Sequence, residues 1–137
     1  MSPPQTADQH DELLHLAKAL DGIAGALHEG HVVPRTDLDS AGKAAHALWR
    51  AEGVAPQAQE FEMYRVALLE NAAGAARGDQ RVMSHVGRAA HRLAKGLRAR
   101  ADTAGRTLRA HPELDPMIDA LDKRYARFAA HPVALPM

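Results

Sequence analysis

Nine histidines stand in this 137-residue chain: His10, His15, His28, His31, His46, His85, His91, His111 and His131. Imidazole is the commonest metal-binding side chain, so a metal ion is the first chemistry to weigh and the only cofactor the residues suggest. The tightest pair is His28 and His31, in His28-Glu29-Gly30-His31, where a helix end can turn both rings and Glu29 toward one ion. Helical metal sites more often space their ligands as His-x-x-x-His or Glu-x-x-His on a core-facing side. The chain has no His-x-x-x-His, and its one Glu-x-x-His spacing runs from Glu12 to His15. On a helix, His15 then lies about 160° from the centre of the apolar face, toward water. The bland alternative is a set of surface and helix-end histidines, favoured where the dipole is negative. With no cysteine, disulfides, thiolate metal sites and a cysteine nucleophile are excluded.

Phosphotransfer is a second histidine chemistry. The run Ala90-His91-Arg92-Leu93-Ala94-Lys95-Gly96 resembles histidine phosphotransfer domains, small helical bundles whose exposed histidine is followed by lysine and glycine at +3 and +4. Here Lys95 and Gly96 stand at +4 and +5, a slip that rotates each partner by about 100° on a helix. His85-Val86-Gly87-Arg88-Ala89 keeps the offset, with arginine and alanine in the two places. The likeness covers only these short runs, and it implies a phosphoryl acceptor at His91 or His85.

Arginine gives the broadest signal. Between residues 77 and 109 the chain carries nine cations against Asp79 and Asp102. Arg81, Arg88, Arg92, Lys95 and Arg106 gather on one side of a helix drawn through Asp79–Ala110. Val82, Val86, Ala90, Leu93, Leu97, Ala104 and Leu108 fall within about 80° of one another on nearly the opposite side. Unbroken, this helix is about 48 Å long. The guanidinium fork suits phosphate and carboxylate, so these five cations form the candidate anion-binding face for nucleic acid, a phosphate-rich ligand or an acidic protein. The sequence shows no recognition-helix pattern, zinc module or aromatic platform for stacking bases. The competing reading is that acidic side chains such as Glu60, Glu62 and Glu70 neutralise the rail within the molecule or across a homodimer.

The enzyme case is thin. Ser40 and Ser84 lack a strand–turn–helix elbow, no phosphate loop or dinucleotide fingerprint occurs, and Asp11-Glu12 is explained by a helix start. A binding module is therefore expected rather than an enzyme.

The elements that must hold these residues are all helical. The apolar fraction is 46% and the charged fraction 25%, those of an ordinary globular chain, and the length fits one domain. Net charge is zero, but residues 1–75 carry 11 acidic and 5 basic side chains and residues 76–137 carry 6 and 12. Such a dipolar chain can pair with itself or offer one half to an anion. No leader pattern and no apolar run long enough for a bilayer are seen, so a cytoplasmic protein without membrane contact is expected. Residues 1–6 read as a disordered lead-in around Pro3-Pro4, residues 7–131 as the bundle, and 132–137 as a short tail.

Within the bundle, five helices with short links are expected. The first ends at Gly30, with Leu13, Leu16, Ala17, Leu20, Ile23, Ala24 and Leu27 inward. The second starts on Thr36, Asp37 or Asp39 and runs to about Glu52, burying Leu38, Ala41, Ala45, Leu48 and Trp49. The third spans Pro56 to Arg77 over Phe61, Tyr64, Leu68, Ala72 and Ala75. Asp79 caps the long basic fourth, in which Gly87, Gly96 and Gly105 mark weak points or close packing. Asp115-Pro116 opens the fifth, with Met117, Ile118, Leu121, Tyr125 and Phe128 inward.

Overall fold

A computed structural model describes residues 9–50, 58–104 and 112–129. Every regular element among them is helical: α1 (Gln9–His28), α2 (Arg35–Arg50), α3 (Ala58–Glu70), α4 (Ala72–Ala76), α5 (Gln80–Ala104) and α6 (Asp115–Ala129), with a 3-10 turn at Pro112–Leu114 before the last. The all-α bundle is as the sequence predicts. The basic helix is the fifth element rather than the fourth, because the third region is two helices. Asn71 divides them: its side-chain amide donates to the Ala67 carbonyl at 2.7 Å, a local bond that competes with the helical ladder.

The centre of the molecule is α1, packed along α5 on one side and α6 on another. All seven residues assigned to its inner face are buried, and so are Ala19 and Ala26. A helix buried on nearly every side needs neighbours on every side. This is why His15 does not point freely to water, as the wheel suggests. Its Nε2 lies 3.1 Å from Asp122 Oδ2 on α6, and the ring is only 36% exposed. On α6, Ile118, Leu121, Tyr125 and Phe128 are buried.

Two glycines set the spacing between α1 and α6. A Cβ on Gly22 would lie 2.5 Å from the Tyr125 carbonyl oxygen, and one on Gly25 would lie 2.7 Å from that of Phe128. Two other glycines end helices, Gly30 at φ 85° and Gly78 at φ 83°, a region in which a Cβ is strained. Both stops are where the sequence places them. Gly78 leads into Asp79, whose Oδ1 accepts the Arg81 and Val82 amides at 3.1 and 3.3 Å, the predicted cap of α5.

The start of α2 differs from expectation. Helix begins at Arg35, with the Pro34 carbonyl accepting the Asp37 and Leu38 amides at 3.0 and 3.2 Å. Asp37 is not spent as a cap but turns inward, 6% exposed. It accepts from the Tyr125 hydroxyl and from Arg124 Nη1, each at 2.5 Å. Burial, then the bond to Asp37, push the Tyr125 hydroxyl well above the usual tyrosine value of 10.0. A folded-state pKa above the unfolded one means that the stabilisation is complete below about pH 10 and is lost as pH rises past it. Denaturation midpoints should therefore fall from about pH 10 upward, and Tyr125→Phe should flatten that alkaline limb. An equally steep limb in the variant would assign it to other groups.

Candidate anion-binding face

α5 runs without interruption through Gly87 and Gly96 to Ala104; the remainder of the predicted helix, including Gly105, Arg106 and Arg109, lies outside the described residues. Its buried side is wider than the predicted stripe. Met83, Val86, Ala89, Ala90, Leu93, Ala94, Leu97 and Ala101 are all buried, because α5 packs on α1 and α3 together. Arg100, one of the nine cations between residues 77 and 109, is 8% exposed and belongs to this inner side.

The outer side carries Arg81, Arg88 and Lys95, all exposed, and none forms an ion pair with any described residue. Arg92 lies at the edge of this group. Its Nη1 donates to the Tyr64 hydroxyl at 3.0 Å, and its guanidinium carbon stands 5.3 Å from the centre of the Tyr64 ring. The Tyr64 hydroxyl donates in turn to Glu60 Oε1 at 3.1 Å. Between α3 and α5 these side chains border a groove of about 260 Å³, with Phe61, Lys95, Gly96 and Ala99 completing its lining.

Other charges are used internally. Arg98 donates to Asp21 on α1, and Asp21 Oδ1 also stands 3.6 Å from His91 Nδ1. Glu62 takes Arg65 and stands 3.9 Å from His46. Among the described residues, Asp21 thus meets the flank of the basic helix directly, and Glu60, one of the acidic side chains expected there, reaches Arg92 through the Tyr64 hydroxyl. The histidine of the phosphotransfer resemblance, His91, is half-buried beside that carboxylate, whereas His85 is exposed on α5.

His28 and His31 are both exposed, but they do different things. His31 packs its ring on Phe128, centroids 4.9 Å apart. His28 borders a second groove of about 450 Å³ with Glu29, Met83 and Ser84. Among the described residues no three His, Asp or Glu side chains come together as a metal site. None of the described helices is long and apolar enough to cross a membrane.

Sequence reading overlooked Tyr64 as part of this face. Its spacing marks it as a core residue of its own helix, and only the packing of α3 on α5 brings it beside Arg92. No family model, curated protein or solved structure matches the chain.

Proposed function

We propose that this protein is a non-enzymatic binding module that presents the outer face of α5 to an anionic partner, with nucleic acid as the leading candidate over another phosphate-rich ligand or an acidic protein. The observation that carries the reading is the state of Arg81, Arg88 and Lys95: three exposed cations on one helix face, unneutralised by any described residue. Arg98, Arg65 and Arg124, by contrast, each have a carboxylate. Cations held apart from carboxylates keep their full attraction for phosphate, and the bond geometry of guanidinium favours it.

The test is the salt dependence of binding to labelled DNA and RNA duplexes. If Arg81, Arg88, Arg92 and Lys95 each neutralise one phosphate, log K should fall with log salt at a slope of about −3.6. Arg81→Glu combined with Arg88→Glu should abolish measurable binding at moderate salt while leaving the thermal melt nearly in place, since both side chains are exposed and surface charges contribute little to folding. Undiminished binding by that double variant would remove α5 as the binding face.

A further inference from the structure

The groove at the end of the rail holds more than charge. Tyr64 lines it from α3 and Arg92 and Lys95 line it from α5, with the Arg92 guanidinium carbon over the Tyr64 ring at 5.3 Å. Gly96 and Ala99 offer no bulk on the α5 side, and buried Phe61 lies beneath. Tyr64 is held by its hydroxyl between Arg92 and Glu60, so its ring is a fixed platform rather than a swinging side chain. An aromatic ring that already stacks a guanidinium, with an ammonium beside it, matches a nucleotide whose base takes the guanidinium's place on the ring while the displaced Arg92 and Lys95 hold the phosphate.

From this juxtaposition we infer that the groove is a slot for one unpaired nucleotide of a single-stranded nucleic acid. The inference rests on the proposed anion-binding role of α5 and makes its ligand specific. Two features favour a strand over a free nucleotide or a duplex. From Arg81 to Lys95 the cationic face extends about 21 Å along the helix, more than one nucleotide's phosphate can use. In a duplex, base faces are covered by their neighbours and only edges are offered in the grooves, whereas an unpaired base has a face to give. Glu60 adds a preference. As a carboxylate at the groove it accepts hydrogen bonds and donates none, so it favours cytosine, whose exocyclic amine offers two N–H donors, over thymine, whose single N–H lies between two carbonyl oxygens that repel a carboxylate.

Fluorescence anisotropy with labelled oligo(dC), oligo(dT) and the corresponding duplex tests this. Oligo(dC) should bind tighter than either oligo(dT) or duplex. Tyr64→Ala should weaken oligo(dC) binding by about 10- to 100-fold, with duplex binding unchanged, and Tyr64→Phe should retain most of it because the ring remains. Glu60→Ala should bring oligo(dC) down to the level of oligo(dT). Equal binding of single strand and duplex, indifferent to Tyr64→Ala, would overturn the slot while leaving the rail intact. Competition by free CMP at oligonucleotide concentrations would overturn the strand assignment. Absence of binding to every nucleic acid at low salt would overturn the slot together with nucleic acid as the ligand of the rail.

Discussion

Gly22→Ala should destabilise the protein by about 2 kcal/mol, although the same change in an exposed helix stabilises by about 1 kcal/mol. The new methyl would stand 2.5 Å from the Tyr125 carbonyl oxygen and 2.7 Å from the Tyr125 Cβ. Both belong to or adjoin the backbone of α6, so no side-chain rotation relieves the clash, and α1 and α6 must separate. Separation loosens the burial of Ile118, Leu121 and Phe128 along the same interface. Gly87→Ala is the matched control. A Cβ there meets Leu27 Cβ at 3.5 Å and the Ala24 carbonyl oxygen at 3.6 Å, ordinary contact distances. It should raise stability by up to about 1 kcal/mol through the backbone term alone. Urea denaturation of the two variants should move the midpoint in opposite directions. A Gly22→Ala protein as stable as its parent would mean that α1 and α6 do not approach as closely as described.

Why the sequence conceals this contact follows from the same residues. Helical periodicity weighs side chains, and glycine has none. Gly22 and Gly25 therefore read as gaps beside the Leu16–Leu20–Ile23–Leu27 face rather than as a second buried face. The apolar stripes themselves were legible, since they report the large transfer free energy of leucine and isoleucine. So were the stops at Gly30 and Gly78, which depend on local backbone conformation. Which helix lies at the centre was not, because it depends on what covers the other faces. The long cationic helix dominates the sequence by charge, yet α1, with its leucine-rich face and its two close-packed glycines, organises the packing.

The candidate site divides along the same line. Arg81, Arg88 and Lys95 lie on one helix face, and their exposure follows from the period of a single helix. Arg92, expected with them, is half-buried at their edge, and its partner is 28 residues away in sequence. Tyr64 occupies a position expected to be core and is half-buried instead, because the ring spans from the core to the groove. Asp21 lies outside the apolar face predicted for α1, and only the packing of α5 gives it Arg98 and His91. Local rules locate a charged face; they cannot supply the aromatic wall or the internal carboxylate that distinguish one cation on it from the next.

Asp37→Ala should cost about 2 kcal/mol, and the double-mutant cycle with Tyr125→Phe should show that most of this is the stranded hydroxyl. Asp37 is nearly inaccessible, and Tyr125 is 5% exposed. Removing the carboxylate leaves the tyrosine O–H without its 2.5 Å acceptor, and an unsatisfied buried donor costs more than its bond contributes net. Arg124 accounts for little of the loss, since its side chain is 55% exposed and regains water. Tyr125→Phe alone should cost about 1 kcal/mol, because Asp37 keeps Arg124. Adding Tyr125→Phe to Asp37→Ala should then be nearly free, or even stabilising, so the two changes fall short of additive by about 1 kcal/mol. Additive losses would instead mean that Asp37 acts mainly through the local structure of α2. The distinction bears on how the bundle closes: Asp37 on α2 and Tyr125 on α6 form a buried bond 88 residues apart in sequence, tying α2 to a helix whose main partner is α1.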